Sequence, residues 1–252
     1  TALAQPGQGI ERLSLNGSWE VLFDYSDIGI TEKWFLNDNF NAQSSKQFIE
    51  VPSALELTNK NYEGSAFYRK SFSIPKQWNN QIIELHFDAV NYKSEIWIND
   101  KVVGFHEGGY NPFSFRVDKL VEFGKQNTLI VRVITPIILT DKNIDGLGRQ
   151  EVPMWRGAIN GGIWQSVSLL RKASINLKDV FLEPDIKSKS LEVNVEIYNN
   201  KSIPLRTSLQ IDIFSQDNQP VLTAENSIDL DPGKTNLKQR LSFSDIKLWD
   251  ID

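Results

Sequence analysis

Apolar and polar residues alternate along most of this chain. Ile83, Leu85, Phe87 and Ala89 give one segment an apolar face, and Glu84, His86 and Asp88 occupy its other side. A period of two marks a half-buried β-strand, because successive side chains leave a strand on opposite faces. Ser94 to Ile98 and Val102 to Phe105 predict two more strands around Asn99-Asp100. Asn and Asp tolerate positive φ, so that pair suits a tight hairpin turn. Leu129, Val131 and Val133 repeat the pattern beside Ile130 and Arg132. Leu191/Val193/Val195/Ile197, Leu209/Ile211/Ile213 and Leu237/Leu241/Phe243 follow it further on. Phe123-Gly124, Asn199-Asn200, Asp217-Asn218 and Asp231-Pro232-Gly233 separate these runs as turns. No helix of three turns is predicted. The pattern predicts an all-β chain with the strand spacing of a sandwich.

The texture of the sequence changes near residue 172. Before it the chain is rich in Trp, Phe and Gly; after it the strands are aliphatic and the turns polar. This predicts one domain over 1–172 and a second over 173–252. The second supplies five or six strands, fewer than the seven of a small immunoglobulin-like sandwich, so an incomplete sandwich is expected there. A chain of 252 residues, 40% hydrophobic and 23% charged, is ordinary for a folded soluble protein. The net charge of −5 lacks the basic footprint of a nucleic-acid binder. No apolar run approaches the roughly 20 residues that span a bilayer. Without cysteine there is no disulfide, thiol nucleophile or thiolate metal site. Ala2-Leu3-Ala4 resembles the A-x-A triplet that ends a signal peptide, so export to the periplasm or outside the cell is expected.

The familiar catalytic motifs are missing. The sequence has no G-x-S-x-G elbow, no phosphate-binding G-x-x-x-x-G-K-[ST] and no H-E-x-x-H. No cofactor is implied. Asp141-Lys142-Asn143-Ile144-Asp145-Gly146 fits the start of a calcium loop, but Val152 stands where the closing Glu belongs. A polar surface loop is expected there, and no metal site is predicted. His86 is expected to be solvated and His106 to make a loop hydrogen bond. Apolar sugar faces stack on aromatic rings while hydroxyls pair with carboxylates and Arg. Trp155, in the irregular run from Arg149 to Arg156, fits either a sugar-stacking ring or a cap on the core. Trp19, Trp97 and Trp164 sit in apolar strand contexts and are expected in the core.

Several stretches in order resemble the N-terminal region of glycoside hydrolase family 2, the family of β-galactosidases, β-glucuronidases and β-mannosidases. They are Leu15-Asn16-Gly17-Ser18-Trp19, Val51-Pro52-Ser53 and Phe67-Tyr68-Arg69-Lys70-Ser71-Phe72-Ser73-Ile74-Pro75 (with Phe67 where Trp is usual). Leu85 to Phe113 and Gly161-Gly162-Ile163-Trp164-Gln165-Ser166-Val167 complete the set. The resemblance implies a jelly-roll, galactose-binding-like sandwich, then an immunoglobulin-like one, then a catalytic barrel. Lys247-Leu248-Trp249 resembles the run before the last strand of the second sandwich, so that strand and the barrel are expected to be missing. The family's acid/base Glu follows an Asn in the barrel. No Asn-Glu pair occurs here, so no catalytic residue carries over. In β-galactosidase-like members an acidic residue shortly before M-W contributes to the sugar pocket. Glu151, before Met154-Trp155, is the nearest match, with Arg149 and Trp155 as neighbours; Val152-Pro153 intervene. The expectation is the non-catalytic N-terminal part of an exported exo-β-glycosidase acting on a terminal β-linked sugar, galactose first. An autonomous carbohydrate-binding module and a structural adaptor are the alternatives. Self-association through the incomplete sandwich is also expected.

Overall fold

The computed structural model describes residues 10–150 and 160–244. The chain divides into two compact units after Lys172. In chain order the first unit contains β1 (Glu11–Ser14), β2 (Gly17–Asp24), α1 (Asn37–Ala42), β3 (Gln47–Val51), β4 (Ser65–Ser73), β5 (Ile82–Phe87), β6 (Lys93–Ile98), β7 (Lys101–Glu107), β8 (Phe113–Arg116), β9 (Gln126–Ile134) and β10 (Val167–Lys172). Strands β3-β2-β4-β9-β6-β7 form a six-stranded antiparallel sheet, and β1-β10-β5-β8 form a four-stranded one. The chain crosses repeatedly between the sheets, with β2, β3 and β4 and the β6–β7 hairpin staying within the larger one, and alternate side chains of both meet in one core. Trp19, Val21, Tyr68, Ile96, Val131 and Val133 come from the larger sheet, and Ile83, Leu85, Phe87, Val167 and Leu169 from the smaller. The all-β sandwich expected from the alternation is thus the fold found.

The expected hairpin is present between β6 and β7, with Asn99 and Asp100 at φ 50° and 63°. Asn99 locks it further: Thr128 N donates to its Oδ1, and its Nδ2 donates to Leu120 O. The opening Leu-Asn-Gly-Ser-Trp run is a closure device. Gly17 takes a φ of 100°, and Trp19 Nε1 donates to Leu15 O. Asn16 accepts from Val167 N and donates to Ser166 Oγ across the sheet.

The alternation in β9 does not mean one wet face. Ile130 and Arg132 are as buried as Leu129, Val131 and Val133. The 25–46 connection between β2 and β3 lies over that outer face. Its Trp34, Phe35 and Phe40 pack on Leu22, Phe67, Trp97 and Ile130, with Phe35 stacked on Trp97 at 5.1 Å. Trp19 and Trp97 are buried, as expected. Trp164 is not in the core; it is half-buried, because its indole N–H reaches out to Gly109 O. His86 is not solvated either: Ser114 Oγ lies 2.7 Å from its Nδ1 and Asp88 Oδ1 2.9 Å from its Nε2.

The second unit holds β11 (Ile175–Asp185), β12 (Ser190–Asn199), β13 (Leu205–Phe214), β14 (Pro220–Leu230) and β15 (Gly233–Ser242). The sheets β11-β12-β15 and β13-β14 share one cluster built on Val193, Val195, Ile197, Leu230 and Leu241. The expected turns bring Asn218 and Gly233 to positive φ. β11 is exposed along most of its length, and Leu177, Val180 and Phe181 reach solvent there. Residues 245–252, with Lys247-Leu248-Trp249, lie outside the described residues.

Candidate functional site

One end of the first unit is built from loops, and strand register places it. Asp24, Ser65, Ile134, Lys93 and Glu107 form a single cross-strand row over β2, β4, β9, β6 and β7. Phe87 pairs with both Val167 and Phe113 in the smaller sheet. The antiparallel order therefore delivers the segments 52–64, 88–92, 108–112, 135–150 and 160–166 to this end. Loops on a rigid scaffold are where recognition usually resides.

Buried polar groups fasten these segments. Glu63 is 3% exposed, and its carboxylate accepts from the backbone N–H of Ile138, Leu139 and Thr140 and from the Thr140 hydroxyl. Burial works to raise its pKa, but those four donors prevail and hold it below the ordinary 4.5. Lys142 Nζ donates to Glu63 O. Gln150 N donates to Ile137 O at 2.7 Å, so the 135–150 segment is tied at its start and its end. The stretch 160–163 lies between two neighbours. Ser53 N and Leu55 N donate to Ile163 O and Gly161 O on one side. Asn91 and Gly162 exchange backbone hydrogen bonds of 2.9 and 2.7 Å on the other.

Arg132 is the electrostatic centre of the outer sheet face. It is 1% exposed and bonded to Glu95, Asp145, Asp27 and Ser65 Oγ, with its guanidinium 5.8 Å from the Phe67 ring centroid. Burial would lower its pKa; the hydrogen bonds it donates to Asp145 and Glu95 outweigh that and hold the charge in place. This arrangement also accounts for the run that fits a calcium loop. Asp145 is turned to Arg132, Asp141 to Arg149, and Asn143 Oδ1 accepts from Gly146 N. Among the described residues no group of three or more His, Asp or Glu side chains is placed to hold a metal ion.

Of the three residues predicted to line a sugar site, Arg149 is described. Its side chain is 63% exposed, 3.4 Å from Asp141. Glu151 and Trp155 lie outside the described residues. His106 lies on β7 rather than in a loop. Its ring stacks on Phe113 at 4.0 Å, and burial pushes its pKa below 6.5. The residues that sequence reasoning missed at this end are Glu63, Arg132 and the pair Tyr110–Trp164. A charge inside Leu129-Ile130-Val131-Arg132-Val133-Ile134 was the available signal for Arg132. Glu63 had none, because its partners are backbone groups about 75 residues away.

A two-sheet β fold with its fastened loops gathered at one end defines a β-sandwich domain. Residues 12–173 match the model described as "Glycosyl hydrolases family 2, sugar binding domain", and the chain belongs to that family. It is 25% identical over 250 residues to a β-galactosidase of Thermoanaerobacterium thermosulfurigenes, covering 95% of this chain and 33% of that protein. It is 32% identical over 118 residues to a β-glucuronidase of Bacteroides fragilis, covering 47% and 16% respectively. Among solved structures, a Bacteroides uniformis β-glucuronidase superposes with a TM-score of 0.72 at 23% identity, covering 92% of this chain and 28% of that one. A β-glucuronidase from glycoside hydrolase family 2 gives 0.73 at 18%, covering 96% and 27%. Both share the fold. The chain spans a third or less of the length of these relatives and neighbours.

Proposed function

We propose that this chain is the non-catalytic, sugar-recognising N-terminal part of an exported family 2 exo-β-glycosidase that hydrolyses terminal β-galactosides with retention. The observation that carries the reading is the family match over 12–173, in a chain one third the length of the β-galactosidase to which it aligns nearly end to end. A family 2 mechanism needs two carboxylates flanking the scissile bond, one attacking the anomeric carbon and the other serving as acid and then base. The proposal assigns both to a barrel beyond this segment. Glu151, with Arg149 and Trp155 beside it, lines one wall of the sugar pocket in this reading; the exposed Arg149 at the loop-built end supports it. Export rests on the Ala2-Leu3-Ala4 triplet. Self-association completes the proposal, with β11 as its surface, because an exposed apolar strand edge is a template for pairing.

The test is twofold. Antibodies to this chain should detect in source cells a polypeptide enlarged by about 250 residues or more, the size of a barrel. The purified chain alone should not turn over aryl β-galactosides or β-glucuronides. A native band near 29 kDa, or activity that follows the chain through purification, would defeat the reading. Phe181→Lys should reduce association in light scattering if β11 is the contact; unchanged association would exclude that surface.

A further inference from the structure

We propose that Tyr110 and Trp164 form an aromatic corner that holds a pyranose ring. This rests on the carbohydrate reading above and assigns residues to it. Tyr110 is 70% exposed, while Trp164 beside it is half-buried. Their ring centroids lie 5.6 Å apart at 70°, so the two rings meet as the sides of an angle. Both are held before any ligand arrives. Trp164 Nε1 donates to Gly109 O at 2.9 Å, which joins the two segments directly. Asn91 then fastens both backbones. It exchanges hydrogen bonds with Gly162, two residues before Trp164. Gly109, one residue before Tyr110, packs so closely on Asn91 that a Cβ there would come within 2.4 Å of Asn91 Oδ1. The Trp164 ring and the backbone that carries Tyr110 are fixed in this way, which lowers the ordering cost of binding.

The chemistry around the corner selects the occupant. A pyranose presents a small apolar C–H face edged by hydroxyls, and a pair of angled rings is matched to it in size. Tyr110 and Trp164 are followed in sequence by Asn111 and Gln165, and Asn160 begins the strap that carries Trp164; all three are exposed amides able to donate and accept.

The experiment is a titration of the intact 252-residue chain with methyl β-D-galactopyranoside and methyl β-D-glucuronide, followed by calorimetry and saturation-transfer NMR. At least one sugar should bind in the millimolar range. Tyr110→Ala should weaken that binding about fivefold or more, and Tyr110→Phe should stay within about twofold of the parent chain. Tyr110 is the reporter because an exposed ring can be removed without unfolding the core, which circular dichroism would verify. Binding by the parent chain that Tyr110→Ala leaves unchanged would overturn the corner and leave the carbohydrate reading standing. No binding of either sugar by the parent chain would overturn both.

Discussion

His106 shows how one side chain couples this end of the sandwich to pH. Its ring lies against Phe113, its Nε2 is buried without a hydrogen-bond partner among the described residues, and its pKa falls below 6.5 because burial disfavours the charged form. The unfolded chain therefore binds the proton more readily than the folded one. The contribution of a neutral His106 is complete above the unfolded pKa and is lost as pH falls from 6.5 through the folded pKa. Denaturation midpoints measured between about pH 7.5 and 5 should fall more steeply for the parent chain than for His106→Phe, which keeps the stack and removes the titration. A parallel fall in both would mean that other groups carry the acid sensitivity. Glu63→Ala leaves three backbone N–H groups without their acceptor. The expected loss is roughly 2–3 kcal/mol in urea denaturation, with Glu63→Gln costing less because one acceptor remains. Neither residue was legible in its role. A buried carboxylate whose partners are backbone groups leaves no pattern in sequence, and His106 reads as polar until Phe113 is seen beneath it.

At the scale of elements, alternation is what the sequence displays; it placed β5 and β12 with their buried faces and located β6 and β7 as strands, though Val102 and Phe105 of β7 face solvent. The Asn99-Asp100 turn was equally legible, since positive φ restricts which residues are tolerated. The outer face of β9 was not. Its cover comes from the aperiodic 25–46 connection, and no local pattern reveals what a distant irregular segment will lie upon. Arg132 follows from the same arrangement: a charge in a doubly covered strand must bring its counter-charges with it. Arg132→Met would leave Glu95, Asp27 and Asp145 facing one another without a cation. Breaking a buried pair typically costs 3–5 kcal/mol. These carboxylates keep 28–44% of their side-chain surface in water, so a loss of about 3 kcal/mol, the lower end, is expected in urea denaturation.

For the whole molecule, the change in texture near residue 172 coincides with the division into two compact units. The family motifs proved to be parts of the scaffold more than parts of a site. Asn16, Trp19 and Ser53 close the sandwich, and Trp164 serves both ends of that distinction. This is why family membership was readable over most of the first unit while the sugar-contacting groups were not: closing a sandwich demands particular residues at particular places, whereas loops that meet a ligand vary with the ligand. If the chain is part of a β-galactosidase as proposed, Glu151→Gln in that full-length protein should raise KM for the β-galactoside by about tenfold and leave thermal stability unchanged. A drop in kcat at constant KM would remove Glu151 from the pocket wall.

The position of β9 also has a kinetic consequence. It pairs with β4 on one edge and β6 on the other, an apolar core covers its inner face, and the 25–46 connection and the buried Arg132 cluster cover its outer face. Its amide protons have no local route to deuterium, unlike those of the edge strands β3 and β7, which open by fraying. In D2O the amides of Ile130 to Val133 should therefore be the last of the first unit to exchange, at a rate set by complete unfolding of that unit. Mass-spectrometric labelling of this one strand would then serve as an internal gauge, reporting the stability of the sandwich in any longer polypeptide that contains it.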